Sequence, residues 1–174
     1  VCEGSLKRLR LERIDLYQLH APDPSVPFED SVGVLADLKR EGKIAHVGLS
    51  NVNVELLTKA RSIVEIVSVQ NRYNLTDRTS ESVVDECTRL GIAFIPWYPL
   101  ATGTYSANDG LLARVAERHH ATPNQIALAW LLARSPMMLP IPGTSSIAHL
   151  EENVGSGSIV LTEDDHVELD SLRS

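Results

Sequence analysis

The stretch Asp15-Leu16-Tyr17-Gln18-Leu19-His20 decides how the rest of the chain is interpreted. Leu16 and Leu19 supply the apolar positions of a short buried strand, and a proline-containing loop, 21–24, follows at once. We therefore predict a β-strand that delivers His20 to the start of the next loop. A single histidine more often has a structural role, with its hydrogen bonds satisfied in the core or in a loop, than a functional one. The residues at the other strand ends are therefore needed to distinguish these two interpretations.

Strands and helices alternate along the chain on both sides of this stretch. Further short apolar strands are predicted at 45–49, 66–70, 92–96 and 138–141, with segments of helical spacing between them. Thr122 is predicted to cap one of these helices in a capping box with Gln125, and Thr162 to cap the last one. Alternating βα units indicate a parallel sheet covered by helices, and no repeat or linker divides residues 1–174, so we predict one domain.

Two α/β architectures compete for this pattern. A doubly wound sheet would carry a glycine-rich phosphate turn after its first strand, and no GxGxxG occurs in the chain. Polar or aromatic residues instead stand at every predicted strand end, as in a TIM (β/α)8 barrel, whose catalytic face is built by the loops that follow the strands. Five strands cannot close an eight-stranded barrel, so we predict a partial barrel of about five βα units. Its open sheet edges predict self-association. The strand-end residues are His20, Ser50-Asn51, Gln70, Trp97 and Thr144.

Composition excludes several classes of partner and environment. A formal net charge of −7 argues against nucleic acid and anionic membranes as general partners. Cys2 and Cys87 are far apart and form no metal-ligand spacing, so we predict neither a disulfide nor a metal site, and expect a reducing cytoplasm. No apolar run is long enough to span a bilayer, and the charged first residues do not resemble a signal peptide.

The strand ends carry chemistry that fits a flat amide-bearing ring. Ser50, Asn51 and Gln70 supply a hydroxyl and two amides, which match a primary carboxamide such as that of nicotinamide. The alternatives are a helix N-cap for Ser50-Asn51 and a loop anchor for Gln70. Trp97 is either a stacking platform or a core aromatic. Neutral His20 can donate an N–H to a carbonyl oxygen and stabilise a developing alkoxide.

A second candidate site lies at the start of a helix near the C-terminus. Gly143-Thr144-Ser145-Ser146 combines free backbone N–H groups with three hydroxyls, which favours an anion site, with simple capping as the alternative. His149 either adds positive charge there or is a solvated surface residue. Glu152 and Asn153 either contact an adenine edge or are surface residues of the helix with no ligand contact.

Five stretches, in this order, resemble the C-terminal part of a bacterial aldo-keto reductase, and the resemblance covers essentially the whole chain. They are Ile14-Asp15-Leu16-Tyr17-Gln18-Leu19-His20, Val47-Gly48-Leu49-Ser50-Asn51, Ser68-Val69-Gln70-Asn71-Arg72-Tyr73-Asn74, Pro96-Trp97-Tyr98-Pro99-Leu100, and Ile141-Pro142-Gly143-Thr144-Ser145-Ser146 through Glu152-Asn153.

The resemblance implies a barrel enzyme that reduces small aldehydes or ketones with NADPH, NADH being the alternative cofactor. His20 matches the catalytic histidine that orients the carbonyl. The cofactor residues implied, by function, are Ser50, Asn51 and Gln70 for the carboxamide, Trp97 for the ring, Leu100 for the pyrophosphate segment, Thr144, Ser145 and His149 for the 2′-phosphate, and Glu152 and Asn153 for the adenine. Tyr98 and Gly143, inside the matching stretches, are also expected to contact the cofactor.

Two departures from the family pattern qualify what is implied. His149 stands where many members have arginine, and a neutral imidazole is a weaker phosphate partner. The tyrosine, lysine and aspartate that complete the catalytic set belong to earlier strands than this sequence holds, so one member of a four-residue set is expected here. The alternative function is therefore a catalytically incomplete cofactor-binding or regulatory subunit of the same fold. The small polar stretch 101–110 gives no information on the substrate.

Overall fold

A computed structural model describes residues 1–101 and 110–172, and these contain four parallel strands. They pair in chain order, with no reversal of the kind that marks a doubly wound sheet. A parallel sheet whose neighbours follow one another along the chain is a segment of barrel wall, so the predicted partial TIM barrel is confirmed. The strands are β1 (Ile14–Leu19), β2 (Ile44–Ser50), β3 (Ile66–Arg72) and β4 (Ala93–Trp97).

Helices follow or flank each strand in the described part of the chain. The predicted capping box of Thr122 with Gln125 is present, and the predicted cap Thr162 also forms one, with Asp165. In each, the threonine hydroxyl accepts from the third helical N–H, and the side chain of that third residue accepts from the threonine N–H. The helices are α1 (Cys2–Leu9), α2 (Phe28–Arg40), α3 (Val54–Arg61), α4 (Glu81–Leu90), α5 (Gly110–Arg118), α6 (Pro123–Arg134), α7 (Ile147–Gly155) and α8 (Glu163–Asp170).

The predicted fifth strand at 138–141 is shorter than expected, because it is reduced to a single parallel bridge between Met138 and Phe94. Phe94 N donates to Met137 O and Leu139 N donates to Phe94 O, both at 2.8 Å. The next bond of this ladder would need an N–H from Pro96, which proline lacks, so pairing with β4 ends there.

The hydrophobic core lies between the sheet and its helices. Val47, Leu49, Val69 and Phe94 project from one face of the sheet and are fully buried. Tyr73, just after β3, connects this layer to α6. Its ring meets Phe94 edge-on at 5.8 Å and stacks at 5.9 Å on Trp130, another core residue.

The opposite face of the sheet is polar and sterically tight. Gln18, Gly48 and Ser68 lie side by side in register, and Gln18 Nε2 donates to Ser68 Oγ at 3.1 Å across the glycine. A Cβ at position 48 would collide with Ser68 Oγ and stand 2.8 Å from Gln18 Cγ, so any residue other than glycine would force these side chains to move. This face leads directly to the polar strand ends.

Both cysteines are free and buried. Burial, and secondly the charge of Glu86, raises the pKa of Cys87 to about 12, so its thiol stays protonated at neutral pH.

In residues 1–101 and 110–172, no helix combines the length and the apolar character needed to cross a membrane.

Candidate functional site

The carboxyl ends of the four strands meet at Asn51, the residue that follows β2. Its backbone has a φ of +59°, a left-handed conformation that asparagine tolerates better than most residues with a side chain. Its backbone N–H donates to Gln70 O at 3.1 Å, which joins the ends of β2 and β3. The turn at Asn51 therefore places its amide side chain among the neighbouring strand ends.

The Asn51 amide connects groups from three strand ends. Its Nδ2 donates to the backbone carbonyl of His20 at 3.0 Å and to Ser50 Oγ at 3.1 Å, while its Oδ1 accepts from Trp97 Nε1 at 3.1 Å. A carbonyl can only accept and an indole N–H can only donate, so these partners fix which amide atom faces which neighbour. Of the predicted site residues, His20, Ser50, Asn51, Gln70 and Trp97 thus form one connected group, which we call the Asn51 group.

Ser50 and Gln70 differ in how much bonding capacity they keep. Ser50 is buried, and its hydroxyl donates to Gln70 O at 2.7 Å while accepting from Asn51. Within the described residues the side-chain amide of Gln70 has no hydrogen-bond partner, so it is no loop anchor. The N-cap alternative for Ser50-Asn51 is wrong, because Asn53 caps α3 by accepting from Leu56 N.

His20 lies at the open rim of this group. The residue is exposed, and its carbonyl accepts the bond from Asn51. Its imidazole has no hydrogen-bond partner among the described residues, so both ring nitrogens are open to a ligand or to water. The core-histidine interpretation therefore does not apply.

Trp97 is half-buried, not a core aromatic, and Arg72 accompanies it. The guanidinium carbon of Arg72 lies 5.8 Å from the Trp97 ring centroid and 5.0 Å from that of Tyr98. Arg72 Nε is held at 2.8 Å by Asp77 Oδ2. The guanidinium therefore restrains both rings by cation–π attraction. Tyr98 is exposed, with a φ of +63°.

Sequence reasoning missed three supporting residues that follow Gln70. Besides Arg72 these are Asn71, which is buried and exchanges two hydrogen bonds with the Val52 backbone, and Asn74, whose Nδ2 donates to Tyr98 O at 3.1 Å. The available signal was the pair of asparagines directly after an apolar strand, because asparagine side chains commonly bond to nearby turn backbone.

The second candidate region lies around the start of α7. Gly143, Thr144, Ser145 and His149 are exposed. Ser146 is the N-cap and accepts from His149 N at 3.4 Å, while Thr144 Oγ1 accepts from Ser146 N at 3.1 Å. Capping thus accounts for Ser146, and within the described chain Ser145 has no side-chain partner.

The remaining predicted residues lie on either side of this segment. Glu152 and Asn153 are half-buried on α7, and the Glu152 carbonyl accepts from Gln125 Nε2 at 3.0 Å. Leu100 is half-buried against the core. No hydrogen bond within the described residues joins the α7 region to the Asn51 group. Of the small polar stretch 101–110, residues 102–109 lie outside the described part of the chain.

The two regions offer hydrogen-bonding and stacking groups rather than metal ligands. In residues 1–101 and 110–172 no three histidine, cysteine or acidic side chains are grouped so as to hold a metal ion. The Asn51 group presents an amide and an imidazole without hydrogen-bond partners in the described part of the chain, and an aromatic ring held by Asn51 and Arg72. Chemically, such a set can bind a flat polar ring and can polarise an adjacent carbonyl.

Comparison with known proteins gives one consistent family. The model of the aldo/keto reductase family matches residues 1–174. Pyridoxine 4-dehydrogenase of Escherichia coli is 41% identical over an alignment of 175 positions, which covers 97% of this chain and 60% of that protein. The crystal structure of a thermostable aldo-keto reductase bound to epalrestat is 36% identical, with a TM-score of 0.91 over 98% of this chain and 64% of that one. An aldo/keto reductase from Klebsiella pneumoniae, in complex with NADP and acetate, is 29% identical with a TM-score of 0.85, over 98% and 62% respectively.

The chain is shorter than the proteins it resembles. It spans 54% and 60% of the length of two of its curated relatives, which is less than two thirds in both cases.

Proposed function

The chain belongs to the aldo/keto reductase family, and from this premise we propose that it is the cofactor-binding C-terminal part of an NADPH-dependent reductase. The reaction proposed is the reduction of a small aldehyde or ketone to an alcohol. Residues 1–174 act as one domain of the partial barrel, in the cytoplasm, and its open edges support self-association.

The observation that carries the proposal is the Asn51 group itself. Four strand ends that are far apart in sequence contribute a carbonyl-polarising imidazole, two amides and an aromatic ring to one edge of a parallel sheet. In a barrel this edge is where chemistry takes place.

The residues present fit a nicotinamide carboxamide, which has both an N–H donor and a carbonyl acceptor. The unpartnered Gln70 amide matches both. Asn51 Oδ1, which has accepted only the Trp97 N–H, keeps a second lone pair for a carboxamide N–H. The Trp97 ring, restrained by Asn51 and Arg72, supplies a stacking surface.

The start of α7 fits the phosphate end of the same cofactor. Thr144, Ser145 and His149 stand exposed beside the first turn of α7, where the helix dipole favours an anion. NADPH is preferred to NADH in this proposal, and the NADP complex of the Klebsiella pneumoniae relative supports that choice. Glu152 and Asn153 are proposed at the adenine, Gly143 beside the 2′-phosphate, and Tyr98 and Leu100 along the intervening segment.

His20 is the catalytic residue assigned to this chain. The cofactor supplies a hydride when bound. The exposed His20 donates a hydrogen bond from its imidazole N–H to the substrate carbonyl oxygen, which orients the carbonyl and stabilises negative charge on its oxygen. The pyridoxine 4-dehydrogenase relative supports small aromatic aldehydes as the first substrates to test.

The test measures binding and turnover on the same preparation. NADPH is titrated while indole emission is followed, with Trp97→Phe as the control that identifies the responding tryptophan. NADPH oxidation is then followed with a reactive aromatic aldehyde, with His20→Ala beside it.

We expect NADPH to quench the emission of the chain but not that of Trp97→Phe. Turnover that is lost in His20→Ala supports the reductase. Quenching without turnover supports instead the alternative function, a cofactor-binding or regulatory subunit of the same fold. Absence of quenching at millimolar NADPH contradicts both functions.

A further inference from the structure

We propose that Gln125 is a positioning residue that holds α7 in place against α6, and with it the exposed first turn that is proposed to bind the cofactor 2′-phosphate. The inference rests on the proposed function for the identity of that ligand. The contact between Gln125 and α7 is a property of the chain alone, and it is tested without any cofactor.

Helix α7 is attached to the rest of the chain by little packing. None of its residues is buried, and its apolar side chains Leu150 and Val154 are 52% and 72% exposed. Together with Leu128 and Leu132 of α6 they line a cleft of about 350 Å³ between the two helices. Because an open cleft removes the close contacts that fix one helix on another, other interactions have to set the position of α7.

One side-chain hydrogen bond crosses from α6 to α7. Gln125 Nε2 donates at 3.0 Å to the carbonyl of Glu152, in the last turn of α7. Among residues 1–101 and 110–172 it is the only hydrogen bond that reaches α7 from another α-helix or from a strand. The approach is close, since a Cβ at Gly155 would stand 3.1 Å from Gln125 Nε2. The end of α7 is therefore held at this one point.

Gln125 is itself fixed on a rigid element. Its Oε1 accepts from Thr122 N at 3.0 Å as part of the capping box, and the following residues 126–131 are all buried. Thr122 N can only donate and the Glu152 carbonyl can only accept, so these partners decide which amide atom faces which helix. One side chain thus caps α6 with its oxygen and holds α7 with its nitrogen.

A contact in the last turn of α7 also affects the first turn. The helix has nine residues, so it is about 13 Å long, and its internal hydrogen bonds make it move as one body. A displacement of Glu152 therefore also displaces Ser146 and His149 at the start of the helix. In this way Gln125 acts on the proposed phosphate-binding turn without touching the ligand.

The variant Gln125→Glu separates the two roles of this side chain. A glutamate keeps an oxygen for Thr122 N, and glutamate is a common partner in capping boxes. It has no N–H for the Glu152 carbonyl, and its negative charge is unfavourable beside the carbonyl end of a helix. The cap of α6 is therefore kept, while the attraction to α7 becomes a repulsion.

Asn124→Asp is the matched control. It makes the same change from amide to carboxylate one residue earlier, in the same turn of α6. Asn124 makes no hydrogen bond to α7 within the part of the chain that the structure describes. The control therefore adds the charge without breaking the contact.

The first readout is amide hydrogen exchange of the chain without cofactor, followed by mass spectrometry. We expect peptides from α7 to exchange about fivefold faster in Gln125→Glu than in the unmodified chain, which corresponds to the loss of one ordinary hydrogen bond. Peptides from α6 should keep their exchange rate, because the capping box is retained. Asn124→Asp should leave the exchange of both helices unchanged.

Two outcomes of this measurement overturn the proposal. The first is an unchanged exchange rate of α7 in folded Gln125→Glu. The second is an equal acceleration of α6 and α7, because the variant would then have removed the cap of α6 rather than the contact with α7.

The second readout compares the dissociation constants of NADPH and of reduced nicotinamide mononucleotide, which has the same ring but no adenosine and no 2′-phosphate. Gln125→Glu should weaken NADPH binding about fivefold and change mononucleotide binding by less than about twofold. Asn124→Asp should change neither constant by more than about twofold. Equal losses for the two ligands would indicate a general loosening of the protein and would contradict the positioning role, and so would an equal loss of NADPH affinity in Asn124→Asp.

These two readouts distinguish a failure of this inference from a failure of the proposed function. If NADPH does not bind the unmodified chain, the proposed function fails, and the exchange measurement still decides whether Gln125 holds α7. If NADPH binds and Gln125→Glu leaves α7 exchange unchanged, the proposed function stands and the positioning role of Gln125 is wrong.

Discussion

Asn51 and Asp165 each gather hydrogen bonds from several elements, but in opposite settings. Asn51 is exposed, neutral and bonded to His20, Ser50 and Trp97. Asp165, in the first turn of α8, is 1% exposed and ionised. The contrast separates a residue that stabilises the fold from one that shapes a site.

Asp165 joins α8 to the end of α5. Its Oδ1 accepts from Arg118 Nε and Nη2 at 3.1 and 2.5 Å, and its Oδ2 accepts from His119 Nε2 at 2.7 Å and from both Thr162 donors. Burial alone would raise the pKa of Asp165, but the bonds from His119, Arg118 and Thr162 outweigh it and hold that pKa well below its usual range. A buried carboxylate with all its acceptor positions filled is strongly stabilising relative to a variant that breaks the set.

The bonds of Asn51 are made where water competes for the same groups. Hydrogen bonds in such positions contribute little net free energy to folding, so their value lies in the geometry they impose. The number of hydrogen bonds that a side chain makes therefore does not show whether it stabilises the fold or shapes a site. The burial and the charge of the side chain do show this.

The largest expected effect is on Asp165. Asp165→Asn should lower the free energy of unfolding by about 3 kcal/mol, because it removes a charge-assisted acceptor from partners that partly remain buried. Urea denaturation measures this. Asp164→Asn, at an exposed neighbouring position in the same helical turn, should change it by less than about 0.5 kcal/mol. Equal effects at both positions would show that only the helix dipole is involved.

Packing beneath the Asn51 group should matter next. Gly48→Ala should cost about 2 kcal/mol, since the added methyl group collides with Ser68 and Gln18. Gly33→Ala in α2, where a Cβ meets nothing within 4 Å, should instead raise stability by about 0.5–1 kcal/mol. Denaturation midpoints that move in the same direction for both variants would contradict this explanation.

Acid should weaken the Asp165 cluster in a defined range. The unfolded chain binds a proton at this carboxyl near pH 4, while the folded chain binds one only at much lower pH, so falling pH favours unfolding. The contribution is complete above about pH 5, and about 1 kcal/mol of it should be lost by pH 3. Comparison of the pH dependence of stability with that of Asp165→Asn isolates it, and parallel curves would refute it.

The smallest effect on stability should come from Asn51. Asn51→Gly should change the free energy of unfolding by less than about 0.5 kcal/mol, because its bonds to His20 and Trp97 are exposed and glycine suits the backbone there. Thermal denaturation of Asn51→Gly beside Asp165→Asn gives the comparison directly. A loss of several kcal/mol in Asn51→Gly would place Asn51 among the residues that stabilise the fold.

Much of the fold could be predicted from local signals. The apolar stretches at 15–20, 45–49, 66–70 and 92–96 each overlap a strand, and the Thr122 and Thr162 caps begin helices as predicted. The length of the fifth strand could not be predicted, because it depends on Pro96 in a different strand.

For the site, the sequence by itself determined which residue types stand at the strand ends, because a parallel sheet places all its carboxyl ends at one edge. Only the tertiary structure decided how those residues share their hydrogen bonds. His20 and Trp97 lie 31 and 46 positions from Asn51, and no local pattern reports such distant contacts. The left-handed turn at Asn51 and the placement of Arg72 over Trp97 likewise follow from the strand register, which the chain acquires only when its sheet assembles.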